Sequence, residues 1–232
     1  MPAARYLFVD ALRGIAILLM VAFHFCFDLA YFRLADFDFY QDPFWLHSRT
    51  FILSLFLLLV GVSLWLAHAQ RVRFGKALKR VAVIAANAAL ISLATWYLFG
   101  DRLIYFGVLH FIVIASLLGL LSVRYRWLSL LIGLVLLALN VVQDSWFDQP
   151  WHQWLGMMTH KPATEDYVPL VPWFGVVLLG VFLAAWVPIL GRYRLASHHA
   201  LQPLALLGRH SLLIYMLHQP VLMGALQLLV FL

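Results

Sequence analysis

Charge is what this sequence has least of. Only 11% of its 232 residues are Asp, Glu, Lys or Arg, whereas a soluble domain carries roughly 25%. With 65% hydrophobic residues, a water-soluble fold of this length could not hide its apolar surface. The chain therefore reads as a polytopic membrane protein. Cysteine is nearly missing. Cys26 stands alone, which excludes an intramolecular disulfide and leaves a small packing residue within a span. There is no internal repeat, no low-complexity tract and no separate soluble stretch, so residues 1–232 read as one transmembrane domain. The first apolar segment lacks small-residue cleavage chemistry and carries Asp10, Arg13, His24 and Asp28. It is read as a span, not as a cleaved signal.

What is present is a series of apolar segments of the ~17–25 residues that cross a bilayer, or nearly so. They lie near Ala11–Ala30, Thr50–Ala69, Leu78–Phe99, Ile104–Ser122, Trp127–Val142, Leu170–Leu190 and Leu204–Leu232. The expected fold is an all-α bundle of about seven transmembrane helices. Basic residues set its orientation. The loop QRVRFGKALKR has five of them and no acid. Arg124, Arg126, Arg192, Arg194 and Arg5 fall on the same side if seven spans hold. The opposite side has Arg33, Arg49, Arg102 and Lys161 among eight acids from Asp36 to Asp166. The amino terminus is thus expected in the cytoplasm. The +6 formal charge is a topology signal and does not point to nucleic acid.

Ionisable residues inside spans mark candidate sites. Arg13 and His24 are eleven residues apart. In a helix that separation returns to within ~20° of the same direction and covers ~16 Å. Asp28, one turn after His24, is within reach of the ring. That pairing suits general-base work, with the carboxylate orienting the imidazole. His218 lies in IYMLHQPVL, beside Gln219 and the helix-interrupting Pro220. His110 lies in YFGVLHFIV, after Gly107. Counted from the segment ends, all three imidazoles fall ~20 Å from the cytoplasmic face, which suggests one shared cavity. Three histidines also suit zinc, copper or iron. No two lie at ligand spacing on one helix, so no metal is expected.

Asp10 and Arg13 stand at the cytoplasmic end of the first span. Arg209 and Ser211, in LLGRHSLLIY, stand at the start of the last. The bland reading is an interfacial ion pair or a snorkelling arginine; the functional one is an anion-binding mouth. His198 and His199 read as part of a basic loop at the headgroups. The segment from Asp144 to Phe174 has four acids and four tryptophans. Those tryptophans suit an interfacial belt or a sugar-stacking surface. Asp166, nearest the sixth span, is a candidate for binding an acceptor amine or hydroxyl.

The segments VDALRGIAILLMVAFHF, YFGVLHFI, DYVPLVPWFGVVLLG and LGRHSLLIYMLHQPVL resemble the bacterial proteins grouped with the catalytic domain of heparan-alpha-glucosaminide N-acetyltransferase. The similarity runs over nearly the whole chain. The Arg13–His24 spacing is also similar to that of membrane acyltransferases that modify bacterial surface sugars. In those, the arginine and histidine are implicated in acyl transfer. The resemblance implies a multi-pass acyltransferase of the bacterial plasma membrane. Acetyl-CoA or another acyl-CoA would reach it from the cytosol, and a glycan or amino-sugar acceptor from outside. Joined to the residue reading above, the expected catalytic set is His24, Asp28, His218 and His110. Arg13, Arg209 and Ser211 would hold the CoA, and Asp166 and Gln219 the acceptor. The lysosomal enzyme's proposed catalytic histidine aligns near Tyr40 to Phe44, where this chain has none; His47 is close by. The partners are then the lipid bilayer, acyl-CoA and the acceptor, and a homo-oligomer is compatible with this pattern. The rival reading is a small proton-coupled transporter, because membrane histidines and carboxylates also form proton relays. The missing inverted repeat counts against it. A third reading, a scaffold for an envelope enzyme, predicts that the buried histidines tolerate substitution.

Overall fold

The structure, a computed structural model, describes residues 6–164, 166–190 and 199–230. Arg5, Arg192, Arg194 and His198, used above for topology and loop assignment, lie outside them, as does Glu165. The described residues are all-α, with no strand among them. Five helical stretches are long and apolar enough to cross a membrane. They are α1 (Leu7–Tyr31), α2 (Pro43–His68), α3 (Phe74–Phe99, extended by a turn to Arg102), α6 with α7, and α9 (Ser211–Val230). Helix α6 (Leu170–Leu183) passes through a 3-10 turn into α7 (Val187–Leu190). Two shorter apolar helices are α4 (Val108–Ser122) and α5 (Arg126–Ala138).

The fourth and last expected segments begin later than their apolar runs suggest. Helix α4 starts at Val108 because Gly107 is its extended N-cap residue. The last segment is broken at His210, with φ −99° and ψ 15°. It becomes a short amphipathic helix, α8 (Gln202–Arg209), followed by α9. His218 therefore lies seven residues into its own helix, not fourteen into a continuous one. Pro220 sits inside α9, which continues past it.

Two compact units can be distinguished, and each is built from local sequence rules. The first comprises the described residues up to Leu59 and from Val187 onward. Its central contact is α1 against α8. A Cβ on Gly14 would overlap the Leu204 carbonyl oxygen, and one on Gly208 would overlap that of Asp10. The two backbones touch where glycine permits it. Helix α9 packs on the C-terminal half of α1, where His24 meets His218 and Asp28 meets Gln219. Helix α1 closes in a Schellman arrangement. Arg33 takes the left-handed conformation, at φ 58°, while Arg33 N–H donates to Ala30 and Leu34 N–H to Leu29. Helix α2 opens with Asp42, whose Oδ1 accepts from Phe44 N–H at 2.8 Å, and with Pro43 at its first position.

The second unit spans Val60–Trp186. Its main contacts are α5 with α6 and α3 with α4. Arg126 lies over the rings of Trp127, Phe182 and Trp186 at 5.0, 5.9 and 5.4 Å. This cation–π cage fixes one end of α5 on α6. The segment between α5 and α6 is folded on its own hydrogen bonds. Asp148 accepts from Thr159 N–H at 2.9 Å and from the Thr159 hydroxyl at 2.6 Å. Those bonds, with His160 nearby, hold the Asp148 carboxyl below the usual carboxylate range. Trp146 and His152 stack at 3.6 Å, whereas Trp151 is exposed.

Candidate active site

Helix α1 runs unbroken from Leu7 to Tyr31, so Asp10, Arg13, Ile17, Met20, His24 and Asp28 form one stripe at helical spacing. Asp10, Ile17, Met20 and Asp28 on this stripe are buried. The stripe faces protein, and α8 and α9 cover it.

At its N-terminal end, Asp10 is shared by two arginines. Arg13 Nη1 donates to Oδ1 at 2.9 Å, and Arg209 Nε lies 3.4 Å from Oδ2. Two guanidinium groups against one carboxylate leave a local charge of +1. The Arg209 side chain is 39% exposed. The group is a cationic one anchored by the α1–α8 contact, which suits an anionic ligand. Ser211 begins α9 two residues later.

Toward the C-terminal end of the stripe, His24 and His218 meet. Their ring centroids are 4.8 Å apart and the planes are inclined by 71°. His24 Nδ1 lies 2.9 Å from the Met20 carbonyl, and His218 Nδ1 lies 2.7 Å from that of Tyr215. A carbonyl oxygen only accepts, so both Nδ1 atoms carry a proton, and in the neutral ring the lone pair is then on Nε2. The expected hydrogen bond from Asp28 to His24 is not the one that fixes the ring. The Met20 carbonyl orients it, and Asp28 Oδ1 accepts instead from Gln219 Nε2 at 2.7 Å. Asp28 is fully buried. Its second oxygen, His218 Nε2 and Gln219 Oε1 are buried without a hydrogen-bond partner. Each such group costs about 1–3 kcal/mol when left unmade, so three in one cluster call for a polar partner, water or ligand.

An aromatic wall adjoins His24 that the polar motifs did not reveal. Phe23, which is 5.8 Å from the His24 ring, packs at 5.2 Å on Phe39 and 5.8 Å on Trp45. Phe39 and Trp45 are 4.2 Å apart. The only available signal was the density of aromatics from Phe37 to Trp45. Asp38 and Asp42, among them, are occupied in capping local backbone. His47 lies exposed on α2, bonded to the Pro43 carbonyl at 2.6 Å. An open pocket beyond α1, lined by Arg33, Asp36 and neighbours, contains none of the candidate residues.

His110 and Asp166 belong to the second unit, where they close the start of α4. Asp166 Oδ2 accepts from Val108 N–H at 2.9 Å; a Cβ on Gly107 would overlap that carboxylate. His110 Nδ1 accepts from Gly107 N–H at 3.3 Å, so Nε2 carries the proton and donates to Ser92 Oγ at 3.0 Å. The Ser92 hydroxyl in turn donates to the Ile104 carbonyl at 2.7 Å. Both ring nitrogens of His110 are engaged in this circuit. No group of three or more His, Cys, Asp or Glu residues among the described residues could hold a metal ion.

A family model described as heparan-alpha-glucosaminide N-acetyltransferase, catalytic, matches residues 5–220. That span takes in both units and every candidate residue. No curated protein and no solved structure matches the chain. The chain belongs to the heparan-alpha-glucosaminide N-acetyltransferase catalytic-domain family, a family of transmembrane acetyltransferases.

Proposed function

We propose that the chain is a multi-pass acyltransferase of the bacterial plasma membrane, a single functional domain of seven spans with its amino terminus in the cytoplasm. The five long helices and the two shorter apolar ones supply the spans. Acyl-CoA, most simply acetyl-CoA, is the donor. Its phosphates meet Arg13 and Arg209, with Ser211 offering a hydroxyl beside them. The acceptor is an amine or hydroxyl of a glycan or amino sugar presented from the outer side. His24 Nε2 takes the proton from the attacking nitrogen or oxygen, which bonds to the thioester carbonyl carbon. The C–S bond breaks, and the thiolate leaves with the proton returned by the imidazole. His218 lines the same pocket as a second acceptor. His110 and Asp166 act by positioning the start of α4. No metal takes part in this scheme.

One observation carries the reading: two imidazoles with available Nε2 lone pairs meet at 4.8 Å on the helix whose other end bears the Asp10–Arg13–Arg209 cluster. Purified protein in lipid nanodiscs is assayed for thiol release from acetyl-CoA with a panel of amino sugars and glycans. The expected result is turnover with at least one acceptor and its loss in His24→Ala. Wild-type turnover by His24→Ala would refute the assigned base. The buried, half-bonded Asp28 also fits a proton-coupled transporter. Substrate flux into liposomes without acyl-CoA would favour that reading.

A further inference from the structure

We propose that Asp28 is a positioning residue that sets the polarity of the pocket. By holding the Gln219 amino group, it turns the Gln219 carbonyl toward the pocket. The His24–His218 site then presents hydrogen-bond acceptors, receives a proton-bearing nitrogen or oxygen, and rejects carbonyl, carboxylate and phosphate groups. The inference rests on the acyl-transfer reading only in assigning this pocket to the nucleophile and not to the thioester.

The donor and acceptor inventory is one-sided. His24 and His218 have committed their only N–H groups to the carbonyls of Met20 and Tyr215. In the neutral rings their Nε2 atoms accept. Gln219 Oε1 and Asp28 Oδ2 accept as well, and neither has a partner. Apart from those two N–H groups, the side-chain donor in the group is the Gln219 amino group, one of whose N–H bonds is turned to Asp28.

A side-chain amide can rotate by 180° and exchange its oxygen for its nitrogen. Here the carboxylate forbids the exchange, because the rotated amide would set one lone pair against another. The 2.7 Å separation is that of a charge-assisted bond. A fully buried carboxylate with one unoccupied oxygen further favours an incoming N–H or O–H group. Stabilising an oxyanion requires donors aimed at it. With both rings neutral, this cluster does not supply them, so that task falls to other groups.

The test compares wild type with Asp28→Asn, Gln219→Glu and the double exchange, each checked for an unaltered size-exclusion profile in nanodiscs. Glucosamine and glucose serve as acceptor probes with acetyl-CoA, separating a nitrogen from an oxygen nucleophile. Methylammonium and acetate, at matched ionic strength, serve as binding probes in a thermal-shift assay. Asp28→Asn frees the amide to rotate. It is expected to raise the acceptor KM by about 10- to 100-fold, the range for one bond to a charged group. The acetyl-CoA KM stays within about twofold because Arg13 of the cationic cluster lies ~22 Å from Asp28 along α1.

In the double exchange, the amide introduced at position 28 donates to the carboxylate introduced at position 219. Oxygens again face the pocket, so the acceptor KM returns to near wild type. Methylammonium stabilises the wild type and acetate does not. The inference is overturned if the double exchange stays as impaired as Asp28→Asn. It is equally overturned if both KM values rise together, or if acetate stabilises as well as methylammonium. Should the wild type turn over no acetyl-CoA with any acceptor, the acyl-transfer reading fails. The two binding probes then still decide the polarity of the pocket.

Discussion

Gly14→Ala and Gly224→Ala make the same chemical change at the interiors of α1 and α9, with opposite expected consequences. Replacing a mid-helix glycine by alanine gains about 0.8–1 kcal/mol of helix propensity. A Cβ at Gly224 meets nothing within 4 Å, so that gain is retained and the variant is stabilised. A Cβ at Gly14 would fall on the Leu204 carbonyl, carbon as well as oxygen. Backbone does not yield as a side-chain tip does, so α1 and α8 must separate. Overpacking of this kind costs about 1–3 kcal/mol, which cancels or exceeds the propensity gain. The two variants should therefore differ by about 1–3 kcal/mol in stability, with Gly14→Ala the lower. Separation of α1 from α8 also draws Arg209 off Asp10, where the present distance of 3.4 Å leaves no slack. The acetyl-CoA KM should rise in Gly14→Ala and stay constant in Gly224→Ala. Thermal melts in nanodiscs and initial-rate kinetics measure both effects. If Gly14→Ala is stabilised as much as Gly224→Ala, the backbone contact between α1 and α8 is wrong, and with it the assembly of the arginine cluster.

Three further outcomes follow from local geometry. Arg33→Gly relieves a non-glycine residue at φ 58° and should raise the melting temperature, since that conformation costs about 1–2 kcal/mol before glycine's entropy is subtracted; a fall would mean that the guanidinium itself holds the end of α1. Ser92→Ala leaves the His110 Nε2 proton without its acceptor and should destabilise by about 1–3 kcal/mol, which an unchanged melt would disprove. Asp148 has its carboxyl lowered by the Thr159 hydroxyl first, then by Thr159 N–H and His160. A lowered folded value means that its stabilising contribution is complete above the ordinary value of 3.8 and is lost as pH falls through the folded value. Trp146 fluorescence should report loosening of this segment on acidification below that value, and Asp148→Asn should remove the acid dependence. A transition of equal size in that variant would assign it to another group.

The sequence by itself determined the solvent of this protein and its class of fold. Apolar runs with few charges admit only helices, because a bilayer leaves backbone groups no partner except one another. The Arg13–His24 stripe was legible too, since a single unbroken helix converts spacing directly into direction. Helix ends were less legible. Gly107 interrupts an apolar run with little change in hydropathy, and the polar Arg209–His210–Ser211 step marks a break that a single long segment passes over, so α4 and α9 begin later than the segments indicate. Tertiary structure alone decided which polar groups meet. Asp28 is four residues from His24 and 191 from Gln219, yet its hydrogen bond goes to Gln219. His110, like His218 a lone imidazole within an apolar run, has both nitrogens engaged, while His218 keeps one unsatisfied. Spacing along one helix states where a side chain points. What it meets there depends on how helices far apart in the chain cross, and here that is set by backbone contacts at Gly14 and Gly208.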